Sequence, residues 1–151
     1  MKKKITIIIT IIIIIIISTT TIMFFKTKQI NSNKDFYTID DDVIPSISYI
    51  VGDREIQNIN FRKSKNIKTK TISYKNTKNT KSDVNNYINE LINTQNFINT
   101  TNINLNKKNG KIKLAKQSNE KDNIIILTIQ YNDKNYIIKI QKGIGSIRSY
   151  K

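Results

Sequence analysis

The most distinctive pattern in this chain is an unbroken apolar stretch near the amino terminus. Residues 5–25 lie between Lys4 and Lys26, carry no charge and include seven consecutive isoleucines at positions 11–17. At about 1.5 Å per residue, a helix of this length spans roughly 30 Å, the thickness of the hydrocarbon core of a bilayer. A backbone in lipid must satisfy its own hydrogen bonds. The segment is therefore predicted to form a transmembrane helix.

Shorter patterns follow this apolar stretch and predict a folded domain. Residues 1–28 are predicted to be the membrane anchor (or signal) with basic flanks, residues 29–35 a juxtamembrane linker, and residues 36–151 the domain. An amphipathic helix is predicted over residues 82–98, with Ser82 as its N-cap. Its apolar stripe recurs at three- and four-residue spacing and comprises Val84, Tyr87, Ile88, Leu91 and Ile92.

Alternating apolar and polar residues predict the strands of this domain. A short strand is expected at residues 47–51, and a hairpin is expected from residues 59–63 and 67–75. Residues 103–105 and 112–114 flank Asn109-Gly110, which favours a second hairpin. Two more strands are expected at residues 123–131 and 136–141. The predicted fold is α+β: an N-terminal transmembrane helix, then one amphipathic helix packed on an antiparallel β-sheet (meander) of five to seven strands.

The charges beside the apolar stretch predict its orientation. Lys2, Lys3 and Lys4 precede it, whereas only Lys26 and Lys28 follow closely. The positive-inside rule then favours a single-pass protein of the cell membrane, with its amino terminus inside and its domain outside. The alternative is a cleaved signal peptide and a secreted protein, with residues 18–20 at the cleavage region. The apolar run that resumes at residues 22–25 favours the retained helix.

The composition excludes many kinds of chemistry. The chain has no cysteine and no histidine. It therefore lacks disulfides, thiolate nucleophiles, cysteine-based zinc sites and the side chain that titrates nearest neutrality. No phosphate loop, nucleophile elbow or metal signature occurs, so we assign no catalytic, cofactor-binding or metal-binding residue and expect a non-enzymatic protein.

An enzyme built from carboxylates and lysines alone is the alternative, and it requires a particular convergence. The acidic residues 40–42 would have to meet Glu90, Glu120 or Asp122 in one pocket. Residues 40–42 lack the ligand spacing and central glycine of a calcium loop. They are instead interpreted as a solvated acidic turn, or as an internal partner for the basic segment that follows.

Positive charge is concentrated in one part of the domain. The formal net charge is +15, and the five lysines beside the anchor leave +10 on residues 29–151. Residues 56–81 contain eight basic residues and no acidic one. Such an excess indicates an anionic partner. The predicted contact residues are Arg62, Lys63, Lys65, Lys68, Lys70 and Lys75.

Several partners fit this charge. Residues 5–25 would bind membrane lipid, and the basic residues would bind an anionic polymer, anionic lipid headgroups or a protein. Nucleic acid is a less favoured alternative, suggested by the coincidence of Phe61, Arg62 and Tyr74, because aromatic side chains between cations can stack bases. The lysines also have a structural interpretation, since lysines on an edge strand block unwanted strand addition. Lysine-rich and asparagine-rich composition also fits codon bias in an AT-rich genome.

Four short motifs behind the anchor carry a resemblance. They are residues 42–46 (DVIPS), 51–53 (VGD), 73–76 (SYKN) and 83–88 (DVNNYI). With these motifs the chain resembles small uncharacterised membrane-anchored proteins of clostridia and related low-GC Gram-positive bacteria. The resemblance implies the membrane location and the anchor-plus-domain architecture, and it adds no catalytic residue.

Overall fold

The computed structural model describes residues 35–75 and 77–147, and the predicted anchor over residues 5–25 lies outside them. The described residues belong to one compact unit. No helix in the described ranges combines the length and apolar character needed to cross a bilayer. The elements are β1 (Phe36–Ile39), β2 (Asp42–Pro45), α1 (Ile47–Val51), β3 (Ile56–Ser64), β4 (Ile67–Tyr74), α2 (Thr80–Asn93), β5 (Ile98–Asn99), β6 (Gly110–Gln117), β7 (Asn123–Tyr131) and β8 (Tyr136–Ile144).

Six of these strands form one antiparallel sheet in the order β3-β4-β8-β7-β6-β5, and β1 and β2 form a separate hairpin. The predicted α+β class with an antiparallel sheet is confirmed. Strands β5 to β8 are neighbours in chain order, as in a meander. Strand β8 then lies between β7 and β4, so the β3–β4 hairpin is attached to the last strand of the chain.

The core lies on one face of this sheet. Strand β7 turns Ile125, Leu127 and Ile129 inward, and none of the three is exposed to solvent. The predicted stripe of helix α2 is buried as well. Its members Val84, Tyr87, Ile88 and Leu91 are each at most 2% exposed, and Ile92 packs at the margin of the core.

Three buried tyrosine hydroxyls connect the β1–β2 hairpin to the rest of the core. The hydroxyls of Tyr37 and Tyr74 lie 2.7 Å apart, and the Ile47 amide donates to the Tyr37 oxygen at 3.1 Å. The Tyr87 hydroxyl donates to the carbonyl of Pro45 at 2.9 Å. Tyr74 belongs to the core, as the alternation in its strand indicates. Burial raises the pKa of Tyr37, Tyr74 and Tyr87, so the three phenols stay protonated donors.

The strand predicted at residues 47–51 is wrong, because this segment is helix α1. The Ser46 hydroxyl accepts a hydrogen bond from the Tyr49 amide at 3.1 Å and so caps the first turn. The helix buries Ile47 and Ser48 and leaves Tyr49 in solvent, so Ile47 and Tyr49 do not share the face that strand alternation predicts. The first two strands instead precede it, at residues 36–45.

The amphipathic helix is shorter than predicted. It begins at Thr80 rather than after Ser82, and its start is held by a 2.6 Å contact between the hydroxyls of Thr77 and Thr80. It ends at Asn93 instead of residue 98. Asn96 then adopts a positive φ of 58°, which reverses the chain, and Phe97 returns to the core.

The hairpin predicted at Asn109-Gly110 is also wrong. Residues 103–105 lie in a loop, and β6 begins at Gly110 and pairs with β7 and the short strand β5. Gly110 is needed for close packing and not for a hairpin turn. A Cβ atom at position 110 would lie 2.4 Å from the ring of Tyr131, so a residue without a side chain is needed for close packing.

Candidate functional site

The face of the sheet opposite the core, which we call the open face, carries cationic and uncharged polar side chains together with isoleucines such as Ile67, Ile126 and Ile137. Side chains alternate along each strand, so the residues between the buried positions point away from α2. The strand registers align them in rows that cross the sheet. One row contains Asn60, Thr71, Lys139, Thr128 and Lys113, and the next contains Arg62, Thr69, Gln141, Ile126 and Ala115.

The charges on the open face have one sign. Four basic residues lie on it, namely Arg62, Lys111, Lys113 and Lys139. No Asp or Glu occurs in any of the six strands of the sheet. An anion bound to this face is therefore not repelled by a carboxylate of any of the six strands. Ser, Thr, Asn and Gln side chains lie between the cations and can donate further hydrogen bonds to anionic oxygens.

A groove of about 670 Å³ runs over the β3, β4 and β8 part of this face. Arg62, Lys65 and Lys139 provide its positive charge, and Lys65 sits in the turn between β3 and β4 with a positive φ of 51°. The polar lining consists of Asn58, Asn60, Ser64, Thr69, Thr71 and Gln141. These groups are uncharged donors and acceptors, which suits a hydrated anionic or polyhydroxylated ligand.

The six contact residues predicted from the sequence do not form one surface. Arg62 and Lys65 line the groove of the open face, whereas Lys63 and Lys68 are paired opposite each other on the core side of the same hairpin. Lys70 is only 7% exposed, and its ammonium lies 3.4 Å from the Thr38 carbonyl. The alternation of strands separates neighbours in sequence onto opposite faces, so a continuous basic segment becomes two surfaces.

Two of the predicted contact residues have internal carboxylate partners. Lys68 contacts Asp40 at 2.6 Å, and Lys75 contacts Glu55 at 3.0 Å. The acidic residues 40–42 thus partly serve as an internal partner for the basic hairpin. Asp41 remains exposed in the turn between β1 and β2.

Lys142 was not predicted as a site residue, and it is the centre of an ion cluster. It lies on the core face of β8 and is 3% exposed. Its ammonium contacts Asp42 at 2.9 Å, Glu120 at 2.9 Å and Asp40 at 3.5 Å. Asp42 is fully buried and also accepts hydrogen bonds from the Ser118 hydroxyl at 2.6 Å and the Asn119 amide at 2.9 Å.

The convergence that an enzyme of carboxylates and lysines would require is therefore partly present. Glu120, Asp40 and Asp42 all contact the Lys142 ammonium. Asp122, in contrast, is an exposed turn residue with a positive φ. Glu90 lies on α2, where its carboxylate accepts hydrogen bonds from Thr94 and Gln95.

The protonation of this cluster favours a structural role. Burial by itself lowers the pKa of Lys142, but Glu120 and Asp42 outweigh it and raise that pKa above its ordinary value. Burial likewise favours a neutral Asp42, but Ser118, Asn119 and Lys142 lower its pKa overall. A hydrogen bond from Lys68 lowers the pKa of Asp40. These groups stay charged around neutral pH, whereas acid–base catalysts need pKa values near it. In the described ranges no acidic cluster is arranged to hold a metal ion.

Four lysines of the two sites were not predicted, although the alternation of residues around them gave a weak indication of their positions. Lys111 and Lys113 alternate with Ile112 and Leu114, and Lys139 alternates with Ile138 and Ile140, so each lay on the face opposite the apolar one. Lys142 continues the apolar face two residues after Ile140, which could have indicated a buried lysine. Lys139 and Arg62 lie on the same surface because β8 pairs with β4 and β4 pairs with β3. Local alternation of residue types does not predict this strand order.

Comparison with known proteins identifies no relative. No protein-family model matches the sequence, no curated protein matches it significantly, and no solved structure does so either.

Proposed function

We propose that this chain is a single-pass membrane-anchored protein whose extracytoplasmic domain is non-enzymatic and binds an anionic polymer across its open face. The observation that carries this proposal is the sign of the charges there. Arg62, Lys111, Lys113 and Lys139 lie among hydroxyl, amide and isoleucine side chains, and the six strands of the sheet contain no Asp or Glu.

The arrangement of the cations supports an extended ligand. Arg62 lies on β3, Lys139 on β8 and Lys113 on β6, so cations occur on alternate strands of the sheet. With about 4.8 Å between neighbouring strands, the cation-bearing strands are roughly 10 Å apart. A polymer with repeated phosphate or carboxylate groups, crossing the strands, can meet all three. A small anion would meet only one of them.

The position of the aromatic residues disfavours single-stranded nucleic acid as the polymer. Binding of single strands relies on aromatic side chains that stack bases. Tyr74 is 1% exposed and belongs to the core. Phe61 is exposed, but it pairs with Lys70 on the core side of β3, opposite to Arg62. The rows that cross the open face contain no aromatic residue, so cations and rings do not share this surface.

Charge reversal on the open face tests the binding surface. We expect the triple variant Arg62→Glu, Lys113→Glu and Lys139→Glu to bind inorganic polyphosphate about 30-fold more weakly at low salt, because three cation–anion contacts are lost. The full-length chain in neutral detergent is titrated with labelled polyphosphate at two salt concentrations. The slope of log affinity against log salt should fall in the variant.

A matched variant controls for net charge. Lys78→Glu, Lys108→Glu and Lys121→Glu change the charge equally at exposed positions outside the sheet. At the higher salt concentration of about 0.15 M, this control should bind within about threefold of the wild type, because charges more than about 8 Å from the ligand are then screened. Equal loss in both variants would show that net charge acts without the open face. Tighter binding of single-stranded DNA than of polyphosphate, lost in the open-face variant, would support the nucleic-acid alternative.

Cysteine labelling tests the proposed location, because the chain has no cysteine of its own. A cysteine at the exposed Lys108 should react with a membrane-impermeant maleimide in intact cells. A cysteine at Lys3, before the apolar segment, should react only after the cells are opened. Protection of the Lys108→Cys variant would refute the outside location. A mature chain shorter by about 20 residues would indicate cleavage and secretion.

A further inference from the structure

Three apolar side chains on the first elements of the domain are exposed together, and we call them the apolar patch. Phe36 on β1 is 41% exposed, Val43 on β2 is 50% exposed and Tyr49 on α1 is 59% exposed. The rings of Phe36 and Tyr49 contact each other, with their centroids 5.3 Å apart. A cluster of aromatic and aliphatic groups held in water is typical of a surface that binds an apolar partner.

The patch is held in place by the core beneath it. Phe36 and Val43 point outward because their neighbours Tyr37 and Ile44 are fully buried on the opposite side of the hairpin. Tyr49 points outward because Ile47, two residues earlier in the capped helix α1, is fully buried. The exposure of the patch is thus a property of well-packed elements and not of a loose loop.

The position of the patch along the chain indicates its partner. The carbonyl of Asp35, the first described residue, accepts a hydrogen bond from the Ser46 amide at 2.8 Å. The chain therefore joins the domain directly beside Phe36. Only residues 26–35 separate this point from the apolar segment 5–25, and a fully extended chain of that length reaches at most about 35 Å. A bilayer that holds segment 5–25 is thus always within reach of the patch.

We propose that the apolar patch inserts into the lipid–water interface of the bilayer that anchors the chain. This inference rests on the membrane anchor of the proposed function, and it assigns to Phe36, Val43 and Tyr49 a role that the anchor alone does not require. Aromatic side chains favour the headgroup level of a bilayer, since Tyr combines an apolar ring with a polar tip. Both Asp35 and Asp41 are exposed near the patch. The contact is therefore apolar insertion and not attraction to anionic headgroups.

A single tryptophan reports on this contact, because the chain contains none. The full-length Tyr49→Trp variant is reconstituted into phosphatidylcholine vesicles with and without lipid brominated near the headgroup. We expect its emission to be quenched at least twofold more than that of Phe61→Trp. Phe61 is a matched control, because it is equally exposed at 59% but lies on the edge strand β3.

Two further readouts separate the possible outcomes. Adding Phe36→Ser and Val43→Ser to the Tyr49→Trp chain should abolish the extra quenching, while circular dichroism confirms that the domain stays folded. Flotation of the vesicles in the same samples reports on the anchor independently. Flotation with equal quenching of the two tryptophans would overturn the patch proposal alone. Failure to float would overturn the anchor and the patch together.

Discussion

Replacing Lys142 with Met is expected to lower the free energy of unfolding by about 3–5 kcal/mol, because it leaves the fully buried Asp42 without its cation. Methionine retains most of the apolar stem, so the loss reports on the charge. The measurement is equilibrium unfolding of the full-length chain in detergent, followed by circular dichroism. Since the cluster joins β2 to β8, we expect the β1–β2 hairpin to lose its protection from hydrogen exchange first.

Two comparisons isolate the ion cluster as the cause. Lys139→Met alters the same strand on the open face, and it should change stability by less than about 1 kcal/mol. The double variant Asp42→Asn with Lys142→Met removes both charges, and it should lose less than the sum of the single variants. Additive losses would mean that Lys142 and Asp42 do not stabilise each other, contrary to their 2.9 Å separation.

The pH dependence of this variant provides an independent check. The pKa of Asp42 is lowered from 3.8, so its contribution is present above that pH and is lost as the pH falls through the lowered pKa. The pKa of Lys142 is raised above 10.5, so its contribution is present below pH 10.5 and is lost at higher pH. In Lys142→Met, Asp42 stays buried but loses its cation, so its pKa should be higher than in the wild type. The stability difference from wild type should therefore be largest near pH 7 and shrink towards pH 4.

Replacing Tyr37 with Phe should lower the free energy of unfolding by about 2–4 kcal/mol. The Tyr37 oxygen accepts the Ile47 amide and contacts the Tyr74 hydroxyl, so its removal leaves two buried polar groups without this partner. The packing volume is nearly unchanged, which assigns the loss to hydrogen bonding. Chemical denaturation monitored by circular dichroism measures it, and α1 should lose ellipticity before the main sheet.

The matched control for this prediction is Tyr49→Phe, which removes a hydroxyl from a side chain that is 59% exposed. Its stability should stay within about 0.5 kcal/mol of wild type. If Tyr37→Phe were equally harmless, water would have to satisfy the Ile47 amide, and the tyrosine network would not hold the hairpin. Tyr74→Phe should cost less than Tyr37→Phe, because it breaks only the hydroxyl contact and leaves the Ile47 amide bonded to the Tyr37 oxygen.

Local sequence patterns predicted the elements whose periodicity is long and whose two faces differ clearly. In β7 the inward set Ile125, Leu127, Ile129 and Tyr131 was predicted and is at most 4% exposed. The stripe of α2 was predicted for the same reason. Failure occurred where the pattern was short. Residues 47–51 alternate like a strand, but five positions cannot distinguish this period from one capped helical turn, which buries Ile47 and Ser48 and exposes Tyr49.

The candidate site was less predictable than the fold, because it depends on contacts between distant parts of the chain. The sequence indicated that residues 56–81 are basic but not that their side chains divide between two faces. Lys139 joins the open face only because β8 pairs with β4, as shown by Lys139 opposite Thr71. Asp42 was interpreted as part of an acidic turn, since nothing near it in sequence indicates Lys142, one hundred residues later.

The strand order of the sheet has a consequence for when this protein can fold. Strand β8 is the last described element in the chain, yet it lies between β4 and β7 in the sheet. Until β8 is available, the β3–β4 hairpin and the β5–β7 strands have no common partner, and Lys142 cannot reach Asp42. Such reliance on pairings distant in sequence gives slow folding. The six-stranded sheet is therefore completed only after β8 has been synthesised, and the β1–β2 hairpin gains its ion contact with β8 at that same late stage.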